Sequence, residues 1–237
     1  MKKITVIVID DERSSREELK GMLKNYTDFE VIGEAGNADE AKEQIEAKHP
    51  DLLLLDIQMP EKTGFELLES LDRTPAVLFT TAWNQYAVQA FEVNALDYLV
   101  KPIREERFAK AIEKVRSNIH PKLADAPSAD RQIFIKDGEQ YYFIRLGEIY
   151  LIESLDNYSR LYFREKKLVL KRSLRQWEQL LDTNIFFRIS RTEIINTNYI
   201  QQVQNAPGGR LTINLKTGQL LEVSGRQSVK FKNLNGI

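Results

Sequence analysis

Leu52-Leu53-Leu54-Leu55-Asp56-Ile57-Gln58-Met59-Pro60 is the stretch that decides the fold of the first half of the chain. Four consecutive leucines leave no polar face for water. The segment therefore reads as a strand covered on both sides, and it stops abruptly at a carboxylate. Upstream, Lys3–Ile9 is β-branched, nearly continuous in hydrophobicity, and runs into Asp10-Asp11. Further strands are expected at 29–34, 76–80 and 97–100, with the leucine strand at 51–55. Residues 14–25 show helical spacing, with Leu19, Met22 and Leu23 on one side and Ser14 or Ser15 as N-cap. Helical patterns recur at 38–48, 64–72, 84–92 and 105–118. Alternation of this kind implies a doubly wound α/β fold: a five-stranded parallel sheet with helices on both faces.

Such sheets bind ligands beyond the carboxyl ends of their strands. Those ends carry Asp10-Asp11, Asp56, Thr80-Thr81 and Lys101-Pro102. Three carboxylates at one edge repel each other unless a divalent cation sits among them, and hard oxygen ligands with room for water and phosphate suit Mg²⁺. A hydroxyl and an ammonium opposite offer a phosphoryl group a hydrogen-bond donor and a positive charge. Strand alternation lets only one of Thr80 and Thr81 point at the site.

The set resembles the receiver domain of response regulators, over about 118 residues and in the family's order. The motifs are Val8-Ile9-Asp10-Asp11-Glu12, Leu53-Leu54-Leu55-Asp56-Ile57-Gln58-Met59-Pro60, Gly64, Thr81-Ala82 and Lys101-Pro102. The resemblance implies that Asp56 accepts a phosphoryl group from a sensor histidine kinase. It implies that Asp10 and Asp11 hold Mg²⁺ with Asp56 and the backbone carbonyl of Gln58. Thr81, chosen for the alanine after it, would bond a phosphate oxygen, and Lys101 would pair with the phosphate or Asp56 across a cis bond to Pro102. Tyr98 matches the aromatic that turns inward when the threonine engages phosphate. The haloacid-dehalogenase phosphatases place two aspartates one residue apart; Gln58 stands at the second position here and removes that general acid.

Composition agrees with two domains. The 237 residues are 42% hydrophobic and 29% charged, a globular balance. No apolar run is long enough to span a membrane, and the start is too short in apolar residues for a signal peptide. The absence of cysteine excludes disulfides and thiolate metal sites, and makes a cytoplasmic location the default. Residues 120–130, small and polar with two prolines, read as a linker between a domain at 1–119 and another at 131–237. Residues 1–118 hold 16 Lys and Arg against 23 Asp and Glu, whereas 131–237 hold 17 against 10. An acidic half and a basic half point to a cation or phosphate site in the first and a polyanion partner for the second.

The second half reads as mainly β. Strands are expected at Ile133–Ile135, Tyr141–Ile144, Ile149–Ile152, Ser159–Phe163, Leu168–Leu170, Arg210–Leu215 and Gln219–Val223, with a helix at 173–181. Asp137-Gly138 and Thr217-Gly218 are hairpin turn signals. No pair of amphipathic helices suggests a helix-turn-helix. The half resembles LytTR-type DNA-binding domains through Ile149–Ser154 with Asn157-Tyr158, Phe186–Asn196 with Ile200, and Val223-Ser224-Gly225-Arg226. The family's middle motif usually runs His-Arg-Ser; here it is Ser190-Arg191-Thr192, so the histidine's contact has no direct counterpart. The likeness implies that loops read DNA, through Asn157, Tyr158, Arg191 and Arg226. Arginine bonds guanine O6 and N7 bidentately, and Arg160, Arg164, Lys166, Lys167, Lys171, Arg172 and Arg188 could neutralise phosphates.

Together these resemblances imply a phosphorylation-switched regulator of transcription, not an enzyme, whose partners are a histidine kinase and double-stranded DNA. Phosphorylation would remodel the face at about 84–118 and favour a homodimer on a two-part DNA site. The alternative is a receiver-controlled regulator whose basic half binds protein or RNA. Tyrosines 141, 142, 150, 158 and 162 could stack on RNA bases, although core packing explains most of them.

Overall fold

The computed structural model describes residues 3–82, 96–118, 129, 131–138 and 140–235. The helix expected at 84–92 and the linker at 120–130 (Ala129 apart) lie outside the described residues. Two compact units, Met1–Ile144 and Arg145–Ile237, make up the chain.

In the first unit the order is β1 (Ile4–Ile9), α1 (Arg13–Leu23), β2 (Phe29–Ala35), α2 (Ala38–Lys48), β3 (Leu52–Asp56), α3 (Gly64–Glu69), β4 (Ala76–Thr81), β5 (Asp97–Val100) and α4 (Glu105–Asn118). The strands form a parallel sheet in the order β2-β1-β3-β4-β5. The four leucines of β3 are all 0% exposed. Leu53 and Leu55 join Ile7, Ile9 and Phe79 on one face, and Leu52 and Leu54 join Val6, Val8, Leu78, Phe108 and Ile112 on the other. Each buried leucine contributes about 1.5–3 kcal/mol relative to exposure, which is why so apolar a strand takes the centre.

Local signals set the helix starts. Asn37 accepts from the Glu40 amide to cap α2, and Thr63 and Glu66 form a reciprocal capping box on α3. The expected serine cap of α1 is corrected: Glu12 is the N-cap residue, without a side-chain bond, and Ser14 and Ser15 lie inside the helix. Ser15 Oγ donates to Glu12 Oε2 at 3.1 Å, so the serine reaches back to the cap without forming it.

A hairpin of β6 (Gln132–Asp137) and β7 (Gln140–Arg145) packs on α3. Phe65 stacks on Tyr141 at 4.3 Å and on Phe134 at 6.1 Å, and Phe134, Tyr141 and Phe143 extend the core of the first unit. Thr74 and Gln132 add a β-bridge.

The second unit contains β8 (Ile149–Leu155), β9 (Tyr158–Phe163), β10 (Lys166–Leu170), α5 (Leu174–Leu180), β11 (Phe186–Arg188), β12 (Glu193–Asn196), β13 (Ile200–Asn205), β14 (Leu211–Leu215), β15 (Leu220–Val223) and α6 (Gly225–Asn235). Two antiparallel sheets result, ordered β10-β9-β8-β12-β11 and β13-β14-β15. Strands β11, β12 and β13 correct the sequence reading, which placed no strands there. Only three residues long, β11 shows no alternation, and β13 (Ile-Gln-Gln-Val-Gln-Asn) is too polar to read as a half-buried strand. Trp177 of α5 is fully buried, with its indole N–H on Ser159 Oγ at 2.7 Å. Tyr150, Tyr162 and Tyr199 pack together, whereas Tyr158 is exposed. Among the described residues no helix is long and apolar enough to cross a membrane.

Candidate functional site

Strand order reverses between β1 and β3, the switch point where open α/β sheets bind ligands. Asp10 and Asp56 stand on either side of it. Asp10, Asp11 and Asp56 each offer a carboxylate oxygen, and these lie within 4.8 Å of one another. Asp10 and Asp56 are buried, while Asp11 is exposed. Both buried carboxylates are aimed by the backbone just after them: Glu12 N donates to Asp10 Oδ1 at 3.0 Å and Gln58 N to Asp56 Oδ1 at 3.1 Å. Three carboxylates with the Lys101 ammonium beside them form a donor set that fits a hard divalent ion.

Lys101 Nζ lies 2.6 Å from Asp10 Oδ2 and 2.7 Å from Asp56 Oδ2. Burial pushes the Asp10 carboxyl above its usual range, against the opposing pull of Lys101. Burial acts to lower the Lys101 ammonium, but its hydrogen bonds to Asp10 and Asp56 outweigh this and raise it. The lysine is thus held protonated between two strands. Sequence reasoning paired it with Asp56 and missed Asp10, a contact that depends on β1 and β3 being neighbours.

The Lys101 amide donates to Thr81 O at 2.8 Å, and the Lys101–Pro102 bond is cis as expected. Thr81 and Thr80 are both fully buried. Alternation puts Thr81 on the side of Phe79 and Tyr98, and Thr80 on the side of Leu78. The Thr80 hydroxyl has no hydrogen-bond partner among the described residues. Tyr98 is buried in the cluster that holds Phe79. Beside it Asp97 is clasped by Arg107 at 2.6 and 2.7 Å; burial raises its pKa, but the arginine's bonds prevail and lower it.

Gly64 has a structural cause the sequence did not reveal. A Cβ there would lie 2.3 Å from the carbonyl oxygen of Asp56. Gly64→Ala is expected to cost about 1–3 kcal/mol, as overpacking does, and to displace Asp56, the last residue of β3. Chemical denaturation measures the first effect, and the rate of phosphoryl uptake the second.

In the second unit, Arg191 and Arg226 come together. They line one open groove of about 800 Å³ with Glu178, Arg188, Ser190 and Lys230. Arg191 lies on the turn between β11 and β12, and Arg226 opens α6. Ser224 N donates to Ile189 O at 3.0 Å, tying the two segments to each other. Asn157 and Tyr158 do not line the groove. Asn157 sits on the β8–β9 turn and Tyr158 begins β9, at the same end of the five-stranded sheet, where Glu153 pairs with Glu193. Ser190, in the place of the family's histidine, accepts from Thr192 N at 3.1 Å and donates to Glu193 Oε2 at 2.8 Å.

Several cations expected on phosphates are already engaged. Arg160 pairs with Glu153 at 3.3 Å, Arg164 with Glu148 at 2.9 Å and Arg188 with Glu178 at 2.8 Å.

Comparison with known proteins agrees with both halves. The response regulator receiver domain family matches residues 6–113, and the LytTr DNA-binding domain family matches residues 139–236. The sensory transduction protein LytT of Enterococcus faecalis is 30% identical over 98% of this chain and 99% of its own length. LytT of Bacillus subtilis is 30% identical over 98% of each chain. The transcriptional regulatory protein LytR of Staphylococcus aureus is 32% identical over 94% of this chain and 95% of its own. Among solved structures, the response regulatory domain of mrkE from Klebsiella pneumoniae is 28% identical, covering 48% of this chain and 95% of that one with a TM-score of 0.44. Matched along nearly its whole length, the chain belongs to the response regulators that join a receiver domain to a LytTR DNA-binding domain.

Proposed function

We propose that Asp56 is the phosphoacceptor of this regulator, with Arg191 and Arg226 among its DNA-reading residues. The chain is a phosphorylation-controlled DNA-binding response regulator, and its domains imply a histidine kinase and DNA as partners. The single observation that carries the residue assignment is the meeting of Asp10, Asp56 and Lys101 at the switch point of the sheet. An Asp56 carboxylate oxygen attacks phosphorus, the bond from phosphorus to the kinase histidine nitrogen breaks, and an acyl phosphate forms as the imidazole leaves. Lys101 follows the growing charge on the phosphoryl oxygens, and the Thr81 hydroxyl donates to one of them. Asp10, Asp11, Asp56 and the Gln58 carbonyl would hold Mg²⁺, which supplies charge neutralisation between carboxylates and phosphoryl group.

Tyr98 shares its side of the sheet with Thr81, which supports a coupled movement of the two. The face at about 84–118 then changes, and two copies meet through it. Residues 1–119 take the signal; the hairpin at 132–145, expected with the DNA-binding part at 131–237, packs on that first unit, and the second unit answers on DNA, in the cytoplasm and without a catalytic activity of its own. Asn157 and Tyr158 contact the duplex beside Arg191. Selecting bound sequences from a random duplex pool, with and without a phosphoryl donor, tests this reading. Enrichment of a two-part site that grows with the donor is expected. No enrichment in either state would replace it with the protein- or RNA-binding alternative.

A further inference from the structure

Three arginines line the groove of the second unit, and their guanidinium groups are in opposite conditions. Arg191 and Arg226 are exposed, and among the described residues neither guanidinium has a hydrogen bond or an ion pair. Arg188 has all three of its nitrogens engaged. Its Nε donates to Ser190 O at 3.1 Å, its Nη2 to Arg191 O at 2.8 Å, and its Nη1 to Glu178 Oε2 at 2.8 Å.

The two backbone contacts complete a pattern. Four consecutive carbonyls of the turn that carries Arg191 are each taken up. Ile189 O accepts from Ser224 N at 3.0 Å, Ser190 O and Arg191 O accept from Arg188, and Thr192 O accepts from Ser154 N at 2.7 Å. The outer two bonds attach the turn to the residue just before α6 and to β8. The inner two come from one planar fork, and Glu178 on α5 fixes that fork from behind. A guanidinium can make such a multidentate contact because its donors are set in a rigid plane; an ammonium has no such fork.

We propose that Arg188 is a positioning residue for DNA recognition: it clamps the turn that presents Arg191, is itself set by Glu178, and touches no base or phosphate. The proposal rests on the DNA-binding reading of this groove. It reverses the sequence expectation, in which Arg188 was one more cation for the phosphate backbone. Sequence specificity at the base read by Arg191 then depends on a residue that never meets DNA.

The test uses the full-length chain, its phosphoryl donor, and a duplex recovered with the wild-type protein from a random pool. Arg188→Lys keeps the charge and loses the fork. Its affinity is expected to fall toward that of Arg191→Ala, a loss of roughly 5- to 150-fold for a bidentate base contact, with the slope of log affinity against log salt unchanged. Because Arg188 acts through Arg191, adding Arg188→Lys to Arg191→Ala is expected to cause no further loss. Additive losses would overturn the proposal. So would a salt slope in Arg188→Gln shallower by about 0.9, the signature of a lost phosphate contact.

Glu178→Gln separates positioning from charge by sign. Removing an acid from the groove tightens binding if charge alone matters, and weakens it if Glu178 steadies Arg188. Tighter binding would count against the clamp. Glu178 is partly exposed, so this variant decides the matter should Arg188→Lys fail to fold. If the wild-type chain recovers no duplex, the DNA-binding reading falls, and the proposal with it; loss of the clamp effects in a wild type that binds overturns the proposal alone.

Discussion

Asp56→Asn is expected to abolish uptake of a phosphoryl group from acetyl phosphate in the presence of Mg²⁺. The amide fills nearly the same volume in a buried site, so the change removes the nucleophilic oxygen and little else. Lys101 keeps its 2.6 Å contact to Asp10 and remains in place. On the proposed assignment an Asp56 oxygen bonds to phosphorus and acetate departs, and the variant lacks that oxygen. Asp10 is turned to its own backbone and to Lys101. Intact mass follows the gain of one phosphoryl group. Uptake by Asp56→Asn at the wild-type rate would move the acceptor elsewhere.

The second large effect is expected on DNA. Arg191→Ala and Arg226→Ala should each lower affinity for a selected duplex by roughly 5- to 150-fold and relax the preference at one base position, since a good bidentate pair discriminates by about 1–3 kcal/mol. Among the described residues neither guanidinium has a hydrogen bond or an ion pair, which leaves their donors available. Substituting a phosphate-contacting lysine should instead weaken binding to all sequences alike and reduce the salt slope. Competition by single-mismatch duplexes distinguishes the two. Unchanged affinity and preference after both substitutions would remove these arginines from the reading surface.

Much of the first unit was legible because its signals are local and redundant. The leucines of β3 can sit nowhere but the middle of a covered sheet, and each strand end carries its own chemistry. What escaped was the result of neighbourhood. Lys101 reaches Asp10 only because the sheet order places β1 next to β3, and Gly64 is required only because α3 starts against the carbonyl of Asp56. The hairpin at 132–145 read as part of the basic module. Nothing in its sequence shows that Phe134 and Tyr141 stack on Phe65.

The second unit was less legible for a related reason. Its short strand β12 is stabilised by pairing with β8, and β11 by pairing with β12, and neither has the length for a readable alternation. Arg191 and Arg226 were legible as motif residues. Their convergence around one groove, and the different task of Arg188, depend on hydrogen bonds between segments far apart in sequence.

The measurement that bears most directly on the coupling of Asp56 to DNA is the affinity of the full-length chain for its selected duplex, with and without acetyl phosphate and Mg²⁺, in wild type and Asp56→Asn side by side. Tighter binding with the donor in wild type, absent in Asp56→Asn, is the expected result. Equal affinity in both states of the wild type, or the same tightening in Asp56→Asn, would contradict a switch operated through Asp56.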